Sequence, residues 1–148
     1  MKLLLDTNIL IDLVADRAPY AEDVRKLCIA AVFGDVQLWV SAQSYADAFC
    51  VLRKEASKRA VKNALLATLD MLLPCGTYAS DLRAALESDW PDVEDYLIAA
   101  STKHIGADII VTRDSEMMQR GPVPTMTAEA VLLKLQDERG LVYDDIAL

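Results

Sequence analysis

Short apolar runs alternate along this chain with longer stretches whose apolar positions recur every three or four residues. The runs predict strands at Lys2 to Leu5, Gln37 to Ser41, Leu72 to Cys75, Asp108 to Thr112 and Val123 to Met126. Three of these are nearly continuous in apolar residues, as parallel strands buried on both faces are. The longer stretches predict helices at Tyr20 to Phe33, Ser44 to Arg53, Ser57 to Leu72, Tyr78 to Glu87, Asp92 to Ile105 and Ala128 to Arg139. Gly34, Gly106 and Gly140 each follow such a stretch, as helix-closing glycines do. Alternating strands and helices imply right-handed crossovers and a parallel sheet. The expected fold is α/β: a three-layer sandwich with a central, mostly parallel sheet.

The 148 residues suggest one domain spanning 1–148, with no internal repeat or low-complexity segment. Hydrophobic residues make up 53% and aromatics only 6%, so the core should be built from Leu, Ile, Val and Ala. No apolar run approaches the roughly 20 residues that span a bilayer. The opening MKLLLDTN is too short and is interrupted by an acid, so it does not read as a secretory signal. Cys28, Cys50 and Cys75 are odd in number and far apart, and read as small core residues of a cytoplasmic protein. The single His104 reads as a helix-end residue and cannot build a histidine-rich metal site.

A net charge of -8 argues against broad nucleic-acid binding through a basic surface. It does not exclude a nuclease, because bound cations reverse the field locally. Four acids stand where strands end or helices begin: Asp6, Asp47, Asp95 and Asp114. In a parallel sheet those positions meet along one edge, where ligands bind. Carboxylates gathered there repel one another unless a hard divalent cation such as Mg2+ or Mn2+ lies between them.

Each acid also has a plainer explanation. Asp6 or Thr7 suits the cap of a following helix, and Asp114 the cap of a short helix beginning at Ser115. Arg113 is an alternative partner for Asp114. Asp47 falls in the first turns of its helix, where the positive helix end favours an acid. Asp92 and Asp95, three apart after Pro91, resemble a capping box. Asp95 lies beside Ile98 and Ala99 on the packing face, so its side chain should point inward and need a partner.

Taken in order, LLLDTNILID, SAQSYAD, DVEDYLIAAS and GADIIVTRD resemble the PIN-domain ribonucleases of the VapC toxin type, from Met1 to about Thr127. By that resemblance Asp6, Asp47, Asp95 and Asp114 form the acidic cluster, with Asp6, Asp95 and Asp114 as the metal ligands. Thr7, Asn8, Asp92 and Thr112 are its auxiliary polar groups. The family usually has Glu at the position of Asp47, and Asp is shorter by one methylene, about 1.5 Å. The resemblance implies Mg2+- or Mn2+-dependent hydrolysis of RNA and a small antitoxin partner. A homodimer is expected from the residues themselves, because Leu10, Leu13 and Val14 are candidates for exposed apolar positions that a lone domain need not carry.

RNA needs positive charge. The densest stretch, RKEASKRAVK, offers Arg53, Lys54, Lys58, Arg59 and Lys62, and Arg113 lies beside the acids. Such a run is also what a solvated helix face looks like. Alternative readings are a catalytically inactive PIN-like binding module and a housekeeping RNA-processing nuclease. A dehalogenase-type phosphatase would want an acid where Asn8 stands. A receiver domain would want an acidic pair before its phosphoacceptor and a late lysine, and neither pattern is present.

Overall fold

A computed structural model describes residues 1–147 of the chain. Five strands form its centre: β1 (Lys2–Leu5), β2 (Gln37–Ser41), β3 (Leu72–Cys75), β4 (Ile109–Val111) and β5 (Thr125–Met126). Every pairing is parallel, in the order β3-β2-β1-β4-β5. Eight helices accompany them among the described residues: α1 (Thr7–Val14), α2 (Tyr20–Val32), α3 (Ala42–Leu52), α4 (Lys58–Thr68), α5 (Ala79–Glu87), α6 (Val93–Ile105), α7 (Ser115–Arg120) and α8 (Ala128–Arg139).

Alternation along the strands sorts the core into two layers. Leu3 and Leu5 point to one face with Val40, Ile109 and Val111, and meet Ile9, Leu10, Val24, Leu27, Ala48 and Leu135. Leu4 and Ile110 point to the other and meet Ile98, Ala99 and Met117. α1 to α4 and α8 therefore cover one face, while α6 and α7 cover the other and α5 packs on α6. The three leucines of β1 are fully buried. Each contributes roughly 1.5–3 kcal/mol, and truncating one to Ala would cost about 2–5 kcal/mol.

From β1 the chain steps outward through β2 to β3, then returns to lay β4 and β5 on the opposite side of β1. Crossovers leave β1 and β4 in opposite directions, which opens a crevice at their carboxyl ends. Leu5 is in register with Val111, so the residues after both strands face one another there.

Several boundaries differ from the sequence pattern. α4 ends at Thr68, not Leu72: the Thr68 hydroxyl turns back to Leu65 O at 2.7 Å, and Leu72 belongs to β3. β5 begins at Thr125 because Pro124 has no N–H for the ladder. Leu10, Leu13 and Val14 are not surplus surface. Leu10 is fully buried, and Leu13 and Val14 pack against the larger core, because α1 is enclosed by the sheet, α2 and α3. They provide no basis for a dimer. Cys28 and Cys75 are buried as expected, but Cys50 is exposed on α3. Burial pushes the Cys28 thiol up to about 11.

Candidate active site

The crevice is built from helix caps. Asp6 stays locked to the sheet because its N–H donates to Val111 O at 3.0 Å. Its carboxylate, 3% exposed, accepts from Thr7 N at 2.7 Å and from the Thr112 hydroxyl at 2.8 Å. The same Thr112 Oγ1 accepts from Asp114 N at 2.9 Å, so one buried hydroxyl couples the β1 exit to the β4 exit. Asp114 caps α7 through Glu116 N at 2.8 Å, and Asp92 caps α6 through Asp95 N at 3.2 Å. Cap and site are thus the same residues: the acids that start α1, α6 and α7 bring three positive helix ends to one edge.

Asp6, Asp92, Glu94 and Asp114 lie near enough to Asp95 for their charges to act on it. Asp95, in the first turn of α6, has its carboxyl pushed up to about 7. Burial is the largest cause, followed by Asp92, Asp6, Asp114 and Glu94. Burial also raises Asp6. Bonds from Thr112 and Thr7 oppose that rise, while Asp114 and Asp92 add to it.

A second arm was not singled out in the sequence. Thr7 Oγ1 donates to Glu94 Oε1 at 2.8 Å and lies 2.8 Å from Ser44 Oγ. With its proton given to Glu94, Thr7 accepts from Ser44, giving a donor chain Ser44 to Thr7 to Glu94. Ser44 and Asp47 lie three apart on α3 and so share a face. Asp47 faces Glu94, whose carboxyl is raised first by burial and then by the Asp47 and Asp92 charges, with the Thr7 bond opposing. Asp47 Oδ2 is buried without a hydrogen-bond partner. The signal for Glu94 was present in the acidic turn DVED, but the sequence does not show which of its side chains turns toward α1.

The remaining candidates are placed differently. Asn8 is exposed two residues past the Asp6 cap. Arg113 does not pair with Asp114. Its fork grips Asp12 at 2.9–3.0 Å, and Asp12 is wholly buried on α1. Arg53, Lys54, Lys58, Arg59 and Lys62 are exposed at the α3–α4 turn and along α4, and none forms an ion pair among the described residues. His104 sits at the end of α6, where Nε2 lies 2.7 Å from Asp81.

The donor set suits a hard cation in its chemistry. It is all oxygen, the Asp95 carboxyl is raised by burial and then by the neighbouring acids, and Asp47 carries a buried oxygen with no hydrogen-bond partner among the described residues. As they stand, no three such side chains close into one coordination shell among the described residues. Like charges hold apart, and one oxygen each of Asp6, Asp92 and Asp114 is engaged by a backbone amide.

Comparison with known proteins places this geometry in context. The family model described as PIN domain matches residues 2–116. Among curated proteins none matches the sequence. The fold is similar to VapBC2 from Rickettsia felis, solved bound to a DNA fragment from their promoter. That likeness has a TM-score of 0.65 at 20% identity, covering 86% of this chain and 98% of that one. It is similar to VapC20 of Mycobacterium tuberculosis, a sarcin–ricin loop cleaving toxin, with a TM-score of 0.62 at 13% identity, covering 79% and 93%. FitAcB from Neisseria gonorrhoeae gives a TM-score of 0.55 at 21% identity, covering 86% and 98%.

Proposed function

Because the chain belongs to the PIN-domain family, we propose that it is a metal-dependent endoribonuclease, hydrolysing RNA phosphodiester bonds as the toxin of a toxin–antitoxin pair. The observation that carries this reading is the set of acids at the β1–β4 crevice: the Asp95 carboxyl is pushed up to about 7, first by burial and then by the charges of Asp92, Asp6, Asp114 and Glu94. A bound Mg2+ or Mn2+ would relieve that repulsion, acidify a water and stabilise charge on the phosphate. Asp6, Asp95 and Asp114 are the residues assigned to hold it. Thr112 keeps Asp6 and the Asp114 backbone in fixed relation. Asp47 is assigned to orient the attacking water, and Glu94, held by Thr7, to complete that side of the crevice. Asp92 starts α6 so that Asp95 faces the other acids.

Lys58 and Arg59, with Arg53, Lys54 and Lys62, form the exposed basic rim assigned to the RNA backbone. The toxin assignment draws on the similar VapBC2 and on VapC20, itself a cleaving toxin. A small antitoxin would place a basic side chain against the acids, where Arg pairs with carboxylate through two bonds. A protein partner, antitoxin or second copy, would find an apolar groove between α3 and α4, lined by Tyr45, Phe49, Leu65, Leu66 and Leu69. No helix among the described residues is long and apolar enough to cross a membrane, and a cytoplasmic site of action is part of this reading.

Expression of the chain alone tests the toxin reading. Growth should stop, RNA from those cells should carry new ends, and Asp6→Asn should relieve both. Unchanged growth and unbroken RNA at confirmed expression would overturn it.

A further inference from the structure

Asp12 is fully buried in a helix whose other buried residues, apart from Thr7 at its start, are apolar. Among the described residues its only charged partner is Arg113, 101 residues away, which donates from Nε at 3.0 Å and from Nη2 to both oxygens at 2.9 Å. The Arg113 guanidinium carbon lies 3.8 Å from the centre of the Tyr20 ring, so one face of the fork is stacked as well. Arg113 is the residue between Thr112 and Asp114, and Asp12 lies on the helix that Asp6 caps.

We propose that Asp12 and Arg113 are positioning residues that lock the β4–α7 loop to α1, holding Thr112 and Asp114 in place against Asp6. The effect on cleavage rests on the nuclease reading; the effect on the loop does not. The loop is fastened to α1 at two points, by Thr112 Oγ1 on Asp6 and by Arg113 on Asp12. A single hydrogen bond leaves rotation free, whereas two separated attachments with a planar, two-bond fork remove it. Stability does not account for the pair. A buried ion pair typically does no better for stability than apolar residues of like volume. An RNA contact does not account for it either, since the donors of the fork on this side are already taken by Asp12 and one face by Tyr20.

Three variants distinguish these roles: Asp12→Asn, Arg113→Lys, and the apolar pair Asp12→Leu with Arg113→Met. Hydrogen exchange at the Asp114 amide, whose acceptor is Thr112 Oγ1, reads loop position without any reaction. Steady-state cleavage of a short RNA with Mn2+ reads its consequence. The proposal expects faster exchange at Asp114 in all three, with core amides of β1 unchanged. It also expects kcat to fall about 100-fold, the cost of a misplacement near 1 Å, with KM within about twofold. The apolar pair should match the parent in melting temperature and still show the kcat loss. Unchanged exchange at Asp114 would overturn the proposal. So would a raised KM in Arg113→Lys alongside normal cleavage in Asp12→Asn, because that pattern makes Arg113 an RNA contact. If the parent cuts no RNA while exchange responds as expected, the loop lock stands and the nuclease reading falls.

Discussion

Replacing Asp95 with Asn should stabilise the ion-free protein, and the gain should grow with pH. The Asp95 carboxyl rises from 3.8 to about 7, first through burial and then through Asp92, Asp6, Asp114 and Glu94. In the unfolded chain the same group titrates near 3.9. Between about pH 4 and pH 7 the folded state therefore holds a proton that the unfolded state has released, and stability falls as pH rises. Below that window the group makes no difference; above it the whole penalty is present. At about 1.4 kcal/mol per pH unit the rise caps the effect near 4 kcal/mol. Solvent reaches this partly exposed carboxyl and screens it, which reduces the figure to about 1–2 kcal/mol. For a chain of this size that is roughly 3–6 °C in melting temperature. Melts of parent and Asp95→Asn in EDTA, from pH 4.5 to pH 8, give the comparison. The gap should widen from pH 4.5 to about pH 7 and level off above it, and Mg2+ should raise the parent more than the variant by binding its native state. Parallel curves at every pH would refute the idea that the acids converge on Asp95.

Asp114→Asn should keep the cap of α7, since Asn caps as well as Asp, so its melting temperature should stay near the parent's while RNA cleavage is lost; retained cleavage would place the chemistry elsewhere. Glu94→Gln keeps an oxygen for Thr7 but removes the charge beside Asp47, and cleavage should drop about 10- to 100-fold, as supporting partners of a metal site usually show. Cleavage at the parent's rate in that variant would remove Glu94 from the site. Lys58→Glu with Arg59→Glu should weaken RNA binding and flatten its salt dependence by about 1.4 in log–log slope, read by fluorescence anisotropy; an unchanged slope would show that α4 does not meet the backbone.

Much of the fold could be read from β1, whose unbroken leucines are what a strand buried on both faces requires, and from the glycines that close α6 and α8 at φ 66° and 68°. The positions of Asp6, Asp92 and Asp114 are legible because a cap residue follows directly from its helix start. Other parts depend on contacts across long separations. α1 is enclosed by neighbours on several sides, so the run TNILIDLV alone does not show that Leu10 is covered. Asp12 within that run was the one hint of a buried partner, and nothing local identifies Arg113. Glu94 and Asp95 are neighbours of like type. Only the rotation of α6 about its axis puts Glu94 on Thr7 and Asp95 toward Asp6.

The central claim is most directly tested by incubating purified parent and Asp6→Asn with structured RNA in Mn2+ or in EDTA, and resolving the products on a denaturing gel. The account predicts discrete cuts by the parent in Mn2+ alone, and intact RNA in the other three lanes. RNA left whole by the parent in Mn2+, or cut equally by Asp6→Asn, would contradict it.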